Sequence, residues 1–266
     1  MRVLVTGGTG VLGREVVDRL GDLADVRVLS RRPPESPGFV QGDLNTGEGL
    51  AEALDGVEVV AHCASAADYI RPMRDVEQTR QLLKAAAATT RPHIVYISIV
   101  GVDRIPFGYY KAKLASERLI EQSGLPWTTL RTTQFHDLAL LFLALATKGP
   151  VALAPRGLRG QPVDVGEVAD RLTELVLGSP AGRVPDLGGP EVLDGDTMVR
   201  RFQELTGRRR PLLRLPLVGR VAAGFRAGHH LAPDGARGKR TFEEYLRTRI
   251  GPDGAVDLPY ELKLRR

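Results

Sequence analysis

Hydrophobic positions along the chain fall into two rhythms that take turns. Short runs of aliphatic and β-branched residues at 1–6, 26–30, 39–40, 57–61, 93–98 and 127–130 read as strands. Between them, 11–20, 49–54, 74–90 and 109–122 read as helices. The 74–90 stretch has four consecutive alanines and no internal Gly or Pro, and Gly124 and Pro126 stop the helix before them. Strands that alternate with helices predict an α/β fold: a doubly wound parallel sheet with right-handed crossovers. Beyond about residue 150 the rhythm loosens among Gly149-Pro150, Gly157, Gly160, Pro180, Gly188-Gly189-Pro190 and Pro211. Helices are still predicted there at 165–177, at 196–205 with Asp194 or Asp196 as cap, and at 241–249 with Thr241 capping toward Glu244. The expected division is a main domain over 1–150 and a smaller portion over 151–266 that completes the sheet edge and caps the substrate site. After His136, the run containing Leu138, Leu141, Phe142 and Leu145 is apolar most of the way round. Such a helix is buried, or lines an apolar pocket or a subunit contact.

With 266 residues, 42% of them hydrophobic, the chain can bury a substantial core. The single Cys63 lies in an apolar strand pattern, excludes an internal disulfide and suits a reducing cytoplasm. The opening run is too short for a signal peptide, and the longest apolar stretch, 138–146, is too short to span a bilayer, so a cytoplasmic location without membrane partners is expected. From Arg200 onward, 16 Lys or Arg stand against 7 Asp or Glu. They are spread among Pro and Gly with no recognised DNA-reading motif, which argues against a nucleic-acid partner and for a solvated face or a contact with an acidic surface. The five His and one Cys show no metal-ligand spacing. A monomer or homodimer acting on a small molecule fits these features.

Ligands of doubly wound sheets sit at the carboxyl ends of the strands, and those ends carry the candidate chemistry. The first strand runs into Thr6-Gly7-Gly8-Thr9-Gly10-Val11-Leu12-Gly13. Gly7 permits the turn, Gly10 lets backbone N–H groups approach a phosphate, and Gly13 lets the helix pack closely. Together with Thr9, Val11 and Leu12 they form a cradle for a dinucleotide pyrophosphate at a helix N-terminus. Ala64 and Ser98, at the next strand ends, are expected to line the same cofactor. The second strand ends in Ser30-Arg31-Arg32 where an acidic residue would select NAD. A hydroxyl and two guanidinium groups suit a 2′-phosphate, hence NADP. Asp43, followed by Leu44, either holds the adenine amino group or caps a turn. Tyr109 and Lys113 are four apart, so they share one helix face, where an ammonium favours the phenolate and readies the tyrosine for proton transfer. His62 reads as structural.

In these segments, together with Gly42-Asp43-Leu44, the 96–101 stretch Tyr-Ile-Ser-Ile-Val-Gly and the 130–136 stretch Leu-Arg-Thr-Thr-Gln-Phe-His, the chain resembles the short-chain dehydrogenase/reductase superfamily. The closer resemblance is to its atypical NmrA-like branch. It covers nearly the whole chain and implies a Rossmann-type sheet with a small C-terminal capping portion. It also implies that Tyr109 is the acid/base, that Lys113 supports it and holds the ribose, and that Gln134, Phe135 and His136 face the substrate. The family's catalytic serine is replaced by Ile99, with Ser98 one residue early on the opposite face. Two functions follow from the resemblance. One is an NADP(H)-dependent oxidoreductase of carbonyls, enones or quinones that need little oxyanion help; the other is an NADP(H)-binding redox sensor without turnover.

Overall fold

A computed structural model describes residues 1–33, 37–65 and 72–258. In chain order the first elements are β1 (Arg2–Thr6), α1 (Val11–Leu20), β2 (Asp25–Ser30), β3 (Phe39–Gln41), α2 (Leu50–Ala53), β4 (Val59–His62), α3 (Arg74–Ala87), β5 (His93–Ile99), α4 (Gly108–Glu121) and β6 (Trp127–Thr132). Then come α5 (His136–Ala146), β7 (Ala152–Pro155), β8 (Arg159–Gly160), α6 (Val165–Leu177), β9 (Gly182–Arg183), β10 (Leu187–Gly188), β11 (Leu193–Asp194), α7 (Gly195–Thr206), β12 (Leu212–Leu215), α8 (Gly219–Arg226), β13 (Ala236–Arg237) and α9 (Phe242–Arg249).

The chain forms two compact units, and it crosses between them three times rather than once near residue 150. The first unit is Met1–Arg131 with Gly166–Asp186, and the second is Thr132–Val165 with Leu187–Arg266. The loosened pattern after 150 reflects this: α6 and β9 return to the first unit, where β9 pairs with β6. In the first unit the strands lie in the order β6-β5-β4-β1-β2-β3. The registered pairs β1 with β2 and β4, β2 with β3, and β4 with β5 are all parallel, as strands linked through helices must be. The order reverses direction at β1 and β4, so the carboxyl ends of those two strands mark where such a sheet opens for a ligand. Leu4, Val60, Ile94 and Tyr96 bury one face of the sheet against Leu50 and Leu54 around α2 and Leu82 of α3. Glu117 of α4 is buried too, where both its oxygens accept from Arg131 of β6 at 2.8 and 2.6 Å.

In the second unit, α5, α7 and α9 enclose Leu140, Phe202, Phe242 and Leu246 together with Ala152 and Ala154 of β7. β7 pairs in parallel with β12, and β8 antiparallel with β11. The predicted caps form: the Asp194 carboxylate accepts from the Thr197 backbone N–H at 2.8 Å, and Thr241 with Glu244 closes a capping box at the start of α9. The apolar helix after His136 is only half in the core, leaving Phe142 and Leu145 exposed.

Candidate active site

The turn after β1 is built of glycines, each with a different reason for lacking a side chain. Gly7 adopts φ of +72°, a left-handed conformation that favours glycine, and a Cβ on it would sit 2.7 Å from the backbone of Ala64. Gly8, which the glycine spacing does not single out, is the residue pressed onto the sheet, because a Cβ there would meet the Val28 side chain of β2 at 2.6 Å. Gly13 packs against the turn itself: its Cβ would overlap the carbonyl of Gly7. Gly10 differs from these. A Cβ there would meet only the Gly7 oxygen, at 3.2 Å, and the backbone φ of −82° suits any residue. The space that Gly10 leaves empty is therefore not needed for packing.

No side chain caps α1, and its first turn carries no acidic residue. The positive end of the helix dipole is left uncompensated beside that space, which is the environment a phosphate requires. Thr9 is exposed and Val11 half-buried, while the Leu12 side chain turns into the protein. Among the described residues the Ser98 hydroxyl is buried without a hydrogen-bond partner. These features fit a dinucleotide.

The end of β4 links this turn to the tyrosine. Ala64, against which Gly7 packs, donates its backbone N–H to Thr6 Oγ1 at 3.3 Å. The next residue, Ser65, lies with its Oγ 2.7 Å from the Tyr109 hydroxyl and donates to Asp75 Oδ2 at 2.8 Å. With the Ser65 hydrogen committed to Asp75, Tyr109 is the donor in the other bond. Asp75 in turn lies 3.9 Å from the Lys113 ammonium, both side chains being buried. Ser65 and Asp75 have no periodic or spacing signal, and reading the sequence misses them.

Lys113 sits one helical turn below Tyr109 on α4. Its ammonium donates to the Ile97 carbonyl at 3.4 Å and lies 4.9 Å over the Tyr96 ring. Burial works against its charge most strongly, but Tyr96, Tyr109 and Asp75 outweigh that and hold its pKa above the ordinary lysine value. It is thus a fixed cation within reach of the phenol, anchored from beneath by the sheet. Ile99, at the end of β5, is half-buried and offers no donor.

His62 proves structural. Its Nδ1 is 2.8 Å from Thr6 Oγ1 and its Nε2 3.2 Å from Thr79 Oγ1, and the ring stacks on Tyr96. Burial, helped by the Lys113 charge, lowers its pKa to about 3, so the ring is neutral. The Cys63 thiol is pushed up to about 12 by burial and is no nucleophile.

Other predicted residues divide. Arg31 and Arg32 are exposed beyond β2, and the Arg32 N–H donates to Ser30 Oγ at 3.1 Å, so that hydroxyl shapes the turn. Asp43 Oδ1 accepts from the backbone N–H and the side-chain amide of Asn45, at 2.8 and 2.6 Å, which is the turn-capping alternative. Leu44 is buried in the core. Gln134, Phe135 and His136 belong to the second unit. The expectation that His136 faces a substrate is corrected there. Its ring is fully buried against Phe242 and Tyr245, with Nε2–H donating to the Pro162 carbonyl at 3.1 Å and Asp164 3.8 Å from Nδ1, because side chains of α9 pack over the start of α5.

A family model described as NAD(P)H-binding matches residues 7–176. A (4-alkanoyl-5-oxo-2,5-dihydrofuran-3-yl)methyl phosphate reductase of Streptomyces griseus is 30% identical over 224 residues, 77% of this chain and 74% of that protein. Quinone oxidoreductase 2 of Escherichia coli is 25% identical over 174 residues, 58% of this chain and 59% of that one. Mycobacterial proteins matched at 32% identity over 139 residues extend far beyond it, the chain spanning 14% of their length. Among solved structures, an NADPH-dependent quinone oxidoreductase of E. coli complexed with NADPH superposes with a TM-score of 0.74 at 19% identity, covering 87% of this chain and 92% of that one.

Proposed function

The chain belongs to the NAD(P)H-binding family, within the atypical short-chain dehydrogenases/reductases, and on that premise we propose that it is an NADPH-dependent oxidoreductase. Its substrates are small molecules in which a double bond is conjugated with a carbonyl, quinones included. The observation that carries the reading is the 2.7 Å contact between Tyr109 and Ser65. It sets a proton-bearing phenol beside a residue whose neighbour, Ala64, touches the glycine turn.

Gly7, Gly10, Gly13 and the N-terminal turn of α1 would hold the pyrophosphate, and Arg31 and Arg32 the 2′-phosphate that distinguishes NADP. A bound nicotinamide supplies a hydride. The proton is the chain's own part. A hydride delivered to a conjugated carbon leaves an electron pair on the substrate oxygen, and the Tyr109 hydroxyl, released from Ser65, gives its proton to that oxygen. Half-exposed Tyr109 then recovers a proton from solvent. Lys113 stabilises the phenolate in between, and Asp75 holds Lys113 and Ser65 in place.

The isoleucine at 99 supports conjugated substrates over simple ketones. A delocalised anion needs less help from a hydroxyl donor than a localised alkoxide does. The name of the Streptomyces relative supports the same class, since it describes a ring double bond conjugated to two carbonyls. Ile99 also favours the second reading, an NADP(H)-binding sensor without turnover. One experiment decides between them. The purified protein is incubated with NADPH and a panel of quinones, enones and butenolides while NADPH absorbance is followed. Tyr109→Phe is expected to lower turnover roughly 10²–10⁴-fold, the usual worth of a positioned acid, with cofactor affinity unchanged. Tight NADPH binding without consumption on any substrate would discard the enzyme and leave the sensor.

A further inference from the structure

The β7–β12 ribbon of the second unit has one face in the core and one in solvent, and the solvent face is the wrong kind for water. In the parallel register Ala152 lies beside Leu212 and Ala154 beside Arg214. Ala152 and Ala154 are wholly buried, Leu212 packs on the same core, and Arg214 donates to Asp196 at 2.7 Å. The alternate positions, Leu153 beside Leu213 and Pro155 beside Leu215, therefore make up the outer face. Leu213 is 50% exposed and Leu215 38%, and past the strand Val218 is 86% exposed. A sheet face that meets water ordinarily carries polar residues; here it is aliphatic throughout.

Cations flank the two strands of this face, and the segments that carry them hold no acidic residue, the carboxylate bonded to β12 being Asp196 of α7 on Arg214. Lys148 precedes β7 and Arg156 follows it; Arg208 and Arg209 precede β12 and Arg220 follows it, all of them exposed. Neither 138–163 nor 205–233 contains an Asp or Glu. An aliphatic strip with basic residues at both ends fits a surface that is negative at its skin and hydrocarbon beneath. A second copy on the same patch would set one basic rim against another. A nucleic acid would answer the arginines and leave the leucines without a counterpart.

We propose that the outer face of the β7–β12 ribbon docks the protein on an anionic phospholipid bilayer, the arginines meeting headgroup phosphates and Leu213, Leu215 and Val218 entering the acyl boundary. Docking of this kind needs no membrane-crossing helix, and among the described residues no helix is long and apolar enough to cross. The inference is independent of the reductase reading, whose assay contains no lipid.

The test is co-sedimentation of the full chain with vesicles of phosphatidylcholine alone and with roughly 30 mol% phosphatidylglycerol, at low and high salt. Binding is expected only with phosphatidylglycerol and should fall as salt rises. Leu213→Ser combined with Val218→Ser should weaken it roughly tenfold, the worth of keeping two partly exposed aliphatic side chains out of the boundary. Arg208→Glu combined with Arg209→Glu should remove most of the salt-dependent part. These positions are exposed, and an unchanged thermal melt checks that both variants fold. Failure to bind anionic vesicles, equal binding to both vesicles, or binding indifferent to both variants would overturn the proposal. So would a dimer in solution that the leucine variant dissociates, since the ribbon would then belong to a second copy.

Discussion

The neutral state of His62 can be read from its neighbours, and it makes the fold sensitive to acid in a calculable way. Thr79 donates its hydroxyl hydrogen to the Asp75 carbonyl at 2.8 Å, so in the 3.2 Å contact with Thr79 the His62 Nε2 must be the donor. Thr6 Oγ1, already accepting from the Ala64 N–H, then donates to Nδ1. Every hydrogen has a place only if the ring carries one proton. A second proton on Nδ1 would face the Thr6 hydroxyl hydrogen within the field of Lys113, and with burial acting most strongly the folded pKa lies at about 3.

An unfolded histidine titrates near 6.5, so it is the unfolded chain that takes up the proton first as pH falls. The stabilising contribution of His62 is complete above about pH 6.5 and is lost on the way down to about pH 3. By linkage the loss is about 2 kcal/mol at pH 5 and about 3 kcal/mol at pH 4. The assay is urea unfolding at pH 7, 6, 5 and 4 for the natural chain and for His62→Gln, which cannot titrate. Titration of the remaining groups is common to both chains and cancels in the difference. The variant is expected to be less stable at pH 7, with a gap that narrows by about 3 kcal/mol by pH 4. Parallel stability curves would refute the argument, since they would mean that His62 protonates in the folded protein as easily as in the unfolded one.

The glycine turn makes a paired prediction: Gly10→Ala should keep the thermal stability of the natural chain and lose nucleotide binding by calorimetry, whereas Gly13→Ala, whose Cβ would overlap the Gly7 carbonyl, should lose both. Arg31→Ala combined with Arg32→Ala should reduce the preference for NADPH over NADH roughly tenfold or more, because a charge-assisted bond to phosphate is worth about 1.5–3 kcal/mol; titrations of both cofactors with an unchanged ratio would show that the arginines are only solvated. Glu117→Ala removes the bidentate partner of the buried Arg131 guanidinium, which keeps Asp103 at 3.1 Å, and should cost about 1.5–3 kcal/mol of unfolding free energy in urea, the worth of a hydrogen bond to a charged group, with a loss under about 1 kcal/mol counting against a desolvated pair.

What could be read from the sequence, and what could not, follows from the range over which each feature is determined. The strands from β1 to β6 and the helices between them are local matters of hydrophobic run and helix stop, and their predicted ends fall within a few residues of those observed. The Asp194 and Thr241 caps are more local still. The return of α6 to the first unit and the pairing of β7 with β12 depend on partners distant in sequence, and two-residue strands such as β8 and β10 carry no period at all. His136 shows the same limit in a single residue: its place after a strand end implied exposure to a ligand, while Phe242 and Tyr245, more than a hundred positions later, decide its burial.

The same distinction explains why half of the candidate site was legible. Glycine spacing and the Tyr109–Lys113 interval are periodic signals, because a turn and a helix impose them. Ser65 is placed by something else. The β4 end is fixed by Thr6 reaching to the Ala64 N–H and to His62, and His62 reaching on to Thr79 of α3, so that a loop serine is held within hydrogen-bond distance of a tyrosine on α4. Each step in that path is a threonine or histidine buried where an aliphatic residue would otherwise pack, and such residues keep their place only when their hydrogen bonds are complete. A buried polar chain of this kind leaves no pattern along the sequence. It does leave one in the chemistry: breaking any member should move Ser65, and with it the proton of Tyr109, before it disturbs the glycine turn that it also touches.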